Sequence, residues 1–302
     1  MGDNNKKCAP SKQFDGETCF TMNDIVELVI AYNKFIDSIK NKHLNVKWDV
    51  KNSGKINLKW DPSKEQNDAT IRRYKKDLMK ELIRRLTPYC GNDQVCWLQQ
   101  DFIKFLPKEK KEIIVENTFR PKGPNGKFTW LSTVNVNQVM RQYEEKHKDF
   151  QFFGAVPIDF KLFPSFGMTN PDFDALQHGG GKTKFGVVFN LDEHYKSGSH
   201  WVGLYINIKS GEIYFFDSYG GQPEERIEEF VADVKTYLER NNIVPKYEWN
   251  QHRHQYKNSE CGVYSIDFII RLLEGETFEK ITTNITDDDT MNSKRQILFR
   301  NT

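Results

Sequence analysis

The stretch CGVYSIDFIIRLLEG, residues 261–275, is apolar on almost every face of a helix. In a chain with no apolar run of the roughly 18 residues a membrane span needs, such a helix belongs inside a protein core. Gly275 supplies its stop. The residues before it, HRHQYKNSE at 252–260, are polar, so the helix enters the core from a crowded polar rim with Cys261 in its first turn. Unpaired backbone N–H groups and the helix dipole at such an end favour negative charge, which on a cysteine means thiolate. Gly262 removes a side chain from the place where a carbonyl would approach the sulfur. Cys261 is therefore a candidate nucleophile, although a lone buried cysteine is more often a structural one.

The pattern upstream is that of strands. FGVVFN (185–190), HWVGLYINI (200–208) and EIYFFD (212–217) are rich in β-branched and aromatic residues, and KSG joins the last two as a hairpin. PKYEWN (245–250) reads as another strand. Between them, EERIEEFVADVKTYLER (224–240) sets Ile227, Phe230, Val231, Val234, Tyr237 and Leu238 on one helical face. An α+β fold follows, with a central mixed β-sheet flanked by helices and a buried helix carrying Cys261. HGGGK (178–182) and YGGQ (219–222) read as loops that use glycine flexibility.

The first third is different. TMNDIVELVIAYNKFIDSIK (21–40) opens with a capping box, Thr21 and Asp24, and sets Ile25, Leu28, Val29, Tyr32, Ile36 and Ile39 on one face. After a break at 53–63, ATIRRYKKDLMKELIRRL (69–86) shows the same spacing through Ile71, Tyr74, Leu78, Leu82 and Leu86. Seven of its residues are basic and two acidic, which describes a solvated face or, alternatively, a docking surface for an acidic partner. The segment RPKGPNGKF (120–128), with two Pro and two Gly, reads as a linker or tight loop. The expected division is a helical N-terminal arm, 1–117, and a catalytic core, 118–302.

At 302 residues and 37% hydrophobic composition the chain can bury one large core or two modest ones. Forty-four basic residues against 42 acidic ones give a net charge of +2, too balanced for nucleic acid as the main partner. The N-terminus lacks the apolar centre of a secretory signal, and Lys6 stands where myristoylation of Gly2 would want Ser or Thr. A soluble intracellular protein is the expectation. Five cysteines at 8, 19, 90, 96 and 261, an odd number, suggest no disulfide framework and a reducing compartment. Cys90 and Cys96 are expected as half-buried thiols. No metal site is expected, since neither that pair nor His252 with His254 has further ligands in view.

A nucleophile needs a base, and the base an orienting group. Of seven histidines, His200 opens the strand HWVGLYINI, a rigid mount that would leave its ring exposed; Asp217 ends the neighbouring strand and would hold the imidazole in one tautomer. The side-chain amide of Gln255 and the backbone N–H of Cys261 would together hold an oxyanion, where one donor is typically worth about 2.7–4 kcal/mol. Singly, each has a structural explanation, Asp217 as a turn cap among them.

The ordered set His200-Trp201, Asp217, Gln255 and Cys261-Gly262 resembles the superfamily of the SUMO-specific proteases and the adenovirus maturation protease. RHQYKNSECGVYS, NITDDDTMNSKRQILFR, FFGAVPIDF and the segment 116–143 are similar to the African swine fever virus-type polyprotein-processing proteases. The likeness covers 116–302, and the helical N-terminal third weakly. It implies a cysteine endopeptidase of a large DNA virus that cuts structural polyproteins after Gly-Gly during virion maturation, without a cofactor. It also implies work in the viral factory of the host cytoplasm and in the virion. The helices of the N-terminal arm could hold the catalytic domain together, recruit a virion core-shell protein through the basic face of residues 72–85, or regulate access to the cleft. Cys261 would be the nucleophile, His200 the base, Asp217 the orienting residue and Gln255 an oxyanion donor. Trp201, with Gly262 beneath the approaching carbonyl, would wall a channel for a Gly-Gly tail; as a hairpin residue Trp201 could equally be core. Asp217 departs from the swine fever-type pattern, which has Asn there, and matches the SUMO proteases. Alternatives are a host SUMO or ubiquitin-like modifier as substrate, acetyl transfer through Cys261, and a non-catalytic virion scaffold or binding module.

Overall fold

The structure is a computed structural model that describes residues 7–41, 54–59 and 67–300. Gly2, Lys6 and His43, with residues 53 and 60–63 of the break, lie outside the described residues. The chain divides into two compact units, 1–119 and 120–302.

The first unit is helical. Helix α1 (Met22–Asn41) starts with the expected box: Asp24 N–H donates to Thr21 Oγ1 at 3.1 Å and Thr21 N–H to Asp24 Oδ2 at 2.8 Å. Helix α2 (Asp68–Cys90), capped by Asn67, runs past the expected end at Leu86 and takes Pro88 into its last turn. Short α3 (Gln94–Trp97) and α4 (Lys108–Asn117) follow. Ile25, Leu28, Val29, Tyr32 and Ile36 pack with Leu78, Leu82, Leu86, Trp97 and Phe102 in one core. Each fully buried side chain of this kind contributes about 1.5–3 kcal/mol. The basic face of α2 is smaller than its charge count suggests. Arg72, Arg73, Lys76, Lys80 and Arg84 are exposed, whereas Arg85 is buried, paired with Glu81 and donating to the carbonyls of Gly54 and Lys55.

The expectation of no disulfides, with Cys90 and Cys96 as thiols, is overturned here. Cys8 pairs with Cys19 and Cys90 with Cys96, leaving Cys261 as the free cysteine among the described residues. The first pair meets because Asp15 Oδ1 accepts the N–H groups of Glu17 and Thr18, turning the chain back on itself. The second spans the end of α2, where Gly91 N–H donates to Thr87 O and reverses the chain toward α3. Disulfides of this kind typically stabilise by about 2–4 kcal/mol.

The second unit holds α5 (Thr133–Lys146), β1 (Phe150–Pro157), α6 (Phe173–Gly180), β2 (Lys184–Asn190), β3 (Trp201–Asn207), β4 (Glu212–Phe216), α7 (Glu225–Arg240), β5 (Lys246–Trp249), α8 (Cys261–Leu273), α9 (Phe278–Thr283), α10 (Asp288–Ser293) and α11 (Arg295–Leu298). The five strands form one mixed sheet in chain order, parallel at β1–β2 and β4–β5 and antiparallel between. This is the expected α+β architecture. Strand β1 escapes a reading by alternation because its register shifts between Phe152 and Gly154, the latter at φ 132°, so its two faces exchange midway. HGG at 178–180 is the last turn of α6 rather than a loop, and Gly181 is its left-handed cap.

Strand β3 is buried on both faces because helices cover both. Val202, Leu204 and Ile206 pack with the apolar face of α7, while Trp201 and Tyr205 pack with α8. Gly203 lets α8 lie directly on the strand: a Cβ there would stand 3.2 Å from Ser265 O and 3.2 Å from Phe268 Cδ1. Every residue of α8 but Arg271 is buried. The helix that begins with Cys261 and the strand that follows His200 are thus in backbone contact.

Candidate active site

His200 Nε2 lies 2.6 Å from Asp217 Oδ1, and the Cys261 thiol lies near enough to the same ring to raise its proton affinity. With Nε2 taken, Nδ1 is the ring atom left for the sulfur. The structure therefore brings together the three residues from the start of β3, the end of β4 and the start of α8. All three are buried, His200 at 7% exposure and Cys261 at 2%, so the ring is not the exposed one that a strand-end position suggested. Tyr219 covers it, stacked on the imidazole with centroids 4.5 Å apart, and the Arg253 guanidinium lies over the tyrosine ring, 5.1 Å from its centroid.

Asp217 is held from several sides. Its Oδ1 accepts the N–H of Tyr219 at 2.9 Å and its Oδ2 that of Gly221 at 3.2 Å. Buried Asn250 grips its main chain, accepting from Asp217 N–H at 2.8 Å and donating to Asp217 O at 2.7 Å. Glycine is required in YGGQ for close approach, since a Cβ at Gly221 would meet Asp217 Oδ2 at 2.5 Å. Gln255 is fully buried. Its Oε1 accepts from Ser218 Oγ at 2.6 Å and its Nε2 donates one hydrogen to Lys257 O at 2.7 Å, which leaves the second hydrogen of the amide for another acceptor.

Trp201 donates from Nε1 to Leu131 O at 3.0 Å, and the two side chains close over Gly262, whose added Cβ would sit 3.2 Å from Trp201 Cδ1 and 3.1 Å from Leu131 Cβ. Trp201 is thus a core residue on one side. On the other it joins Leu131, Trp130, Phe163, Asn190 and His194 in lining a cavity of about 530 Å³. Neither Cys261 nor His200 lines that cavity; Trp201 and Leu131 stand between. His254 is buried beside Phe216 and Tyr264 with its Nε2 3.3 Å from Thr282 O. Burial pushes its imidazole down. Among the described residues no group of three His, Cys, Asp or Glu is arranged to hold a metal, and no helix there is long and apolar enough to cross a membrane.

Burial alone would push the His200 imidazole down, but its hydrogen bonds to Asp217 and Cys261 and the charges of both outweigh this and raise it from 6.5 to about 9. A folded-state value above the unfolded one stabilises the protein fully below about 6.5, and that contribution is lost as pH rises through about 9. The unfolding free energy from urea titrations should therefore decline between those limits, and His200→Gln should flatten that decline. Equal slopes in the two proteins would mean that the ring is not the titrating group.

Sequence reasoning did not find Asn250, Ser218, Tyr219 or Leu131. Asn250, Tyr219 and Leu131 act through a main-chain atom or a ring face, and Ser218 through a hydroxyl that bonds a residue 37 positions away, for which residue type gives no signal.

Comparisons with known proteins bear on the family and the fold. The Ulp1 protease family, C-terminal catalytic domain, matches residues 187–301. A protein of Acanthamoeba polyphaga mimivirus, described as a thiol protease, is 35% identical over 300 residues, which is 97% of this chain and 93% of that protein. The protein named SUMO-1 cysteine protease in African swine fever virus, isolate Pig/Kenya/KEN-50/1950, is 25% identical over 256 residues, 78% of this chain and 92% of its own. The crystal structure of the selenomethionine form of an African swine fever virus protease superposes with a TM-score of 0.59 at 22% identity, covering 76% of this chain and 90% of that one, a likeness of fold. With its free cysteine at the head of a buried helix on a mixed five-stranded sheet, the chain belongs to the Ulp1 family of cysteine proteases, among relatives from large DNA viruses.

Proposed function

We propose that the protein is an endopeptidase that processes structural polyproteins of a large DNA virus after Gly-Gly, in the viral factory of the host cytoplasm and in the maturing virion. The observation that carries the reading is the His200 ring, bonded to Asp217 at 2.6 Å through Nε2, with the thiol of Cys261 near enough to raise its proton affinity. A ring that stays protonated through neutral pH is the counter-ion a thiolate needs and the acid a leaving amine needs. The thiolate of Cys261 attacks the carbonyl carbon, and the electron pair moves to the oxygen, where the backbone N–H of Cys261 and the free amide hydrogen of Gln255 receive it. The C–N bond breaks as His200 gives its proton to the amine. Water, deprotonated by His200, then hydrolyses the thioester and frees the thiolate. Asp217 holds the ring in one orientation throughout.

Trp201 and Leu131 pack directly on Gly262, and a narrow path past them to the thiol suits a substrate without side chains next to the scissile bond. The exposed Arg72, Arg73, Lys76 and Lys80 of α2 suit an acidic core-shell partner of the N-terminal arm. Digestion of candidate polyproteins with the protein, followed by sequencing of the new N-termini, should yield ends that follow Gly-Gly, with faster cutting of a Gly-Gly-Xaa peptide than of SUMO or ubiquitin conjugates. Preferred cutting of the conjugates would replace the polyprotein reading by a host-modifier one. Charge reversal of the four basic residues should slow the polyprotein and not the peptide; equal rates on both would remove the docking role.

A further inference from the structure

Glu260, the residue before Cys261, is the N-cap of α8 and yet makes no capping hydrogen bond. Its carboxylate is turned away to Arg295, whose Nε donates to Glu260 Oε2 at 2.8 Å, and both side chains are almost completely buried, at 1% and 2% exposure. The rest of this pocket is satisfied as well. Asn292 Nδ2 and Ser259 Oγ each donate to Glu260 Oε1 at 2.8 Å, and the Arg295 fork reaches Ser259 O at 3.1 Å and Thr129 O at 2.7 Å. Thr129 lies two residues before Leu131, which closes over Gly262 with Trp201.

A buried ion pair is weak evidence of stabilisation, because desolvation cancels much of the attraction. Its position here has a different use. A carboxylate left in the capping place would occupy the first N–H groups of α8 and set a negative charge beside a developing oxyanion. Drawn to Arg295 it does neither.

The opposite wall has the same support. Asp288 Oδ2 accepts the N–H groups of Tyr256 and Lys257 at 2.8 and 2.9 Å, and the carbonyl of Lys257 accepts from Gln255 Nε2 at 2.7 Å. Asp288 is itself 6% exposed. Its anion is thus one turn of main chain from the amide that would face the oxyanion.

We infer that α10 and α11 are the mount of the oxyanion site: Asp288 positions the Gln255 amide, and Arg295, by holding Glu260 aside, positions the N-terminal N–H groups of α8. The inference rests on the protease reading and names two positioning residues for its acyl-transfer step. Neither touches the sulfur or the imidazole, so the reactivity of Cys261 toward a small alkylating agent, which forms no oxyanion, should not depend on them.

The test measures peptide cleavage and the rate of iodoacetamide labelling of Cys261 on the same full-length proteins. Asp288→Ala should lower kcat about 10- to 100-fold, the range expected for a donor held slightly out of place, with KM and labelling within about twofold of the wild type. Asp288→Asn, which keeps an oxygen acceptor, should recover kcat to within about threefold. Arg295→Lys keeps the charge and loses the fork, and should behave like Asp288→Ala. Undiminished kcat in Asp288→Ala overturns the inference, and so does a parallel loss of kcat and labelling, which marks a merely structural role. A wild type that labels at Cys261 and cuts nothing defeats the protease reading itself, whereas a wild type that cuts alongside an equally active Asp288→Ala defeats only the mount.

Discussion

Cys261→Ser should cleave a Gly-Gly-Xaa peptide at least about 10⁴-fold more slowly than the wild type, with an unchanged circular dichroism spectrum, and His200→Ala should lose a comparable factor. The reason lies in how the site divides its labour. On the proposed mechanism the sulfur supplies the bond that forms, and the ring moves the proton in both halves of the reaction, so removal of either stops the same sequence of steps. Replacing Cys261 by Ser removes no packing volume of consequence from the head of α8, which is anchored by the burial of nearly all its remaining residues. The fold should therefore persist. A purified variant of either kind that cuts at the wild-type rate would show that the nucleophile or the base lies elsewhere.

The second large effect is on stability. Arg295→Met should destabilise the protein by about 3–5 kcal/mol in urea unfolding, because it strands the Glu260 carboxylate, 1% exposed, without its cation. The double variant Glu260→Met with Arg295→Met removes both charges and should regain most of that loss. Only an apolar pair of similar volume is then left in the pocket. If Arg295→Met unfolds at the wild-type midpoint, Glu260 must find water or a proton when its partner goes, and the pocket is wetter than its burial implies.

The difference between those two predictions matches the difference between what the sequence reveals and what it hides. Helix α8 announces itself because Val263, Ile266, Phe268, Ile269 and Leu272 fill all its faces. Its first residue was therefore readable as a cysteine at a helix end. His200 and Asp217 were readable for a related reason: hairpin strands joined by a short turn bring their outer ends to one side, and chemistry-bearing residues stood at those ends. The remaining site residues carry no such signal. Asn250, Asp288 and Arg295 act on carbonyl and N–H groups far away in the chain, and main-chain atoms look alike in every sequence. Strand β1 was hidden by the bulge at Gly154, and α5 by a capping box built from Ser132 and Asn135 instead of the usual acidic partner. The two disulfides were hidden by turn geometry, since an odd cysteine count gives no hint that four can pair and leave Cys261 alone.

Gly203 carries a last consequence. With no side chain between β3 and α8, the strand leading from the imidazole and the helix leading from the sulfur touch directly, with no room left between them. An inhibitor, an activator or a neighbouring protein would gain little leverage by trying to pry ring and thiol apart. On the proposed reading, control is exerted at the doorway, by obstructing or clearing the approach past Trp201 and Leu131, while ring and thiol behind it stay assembled.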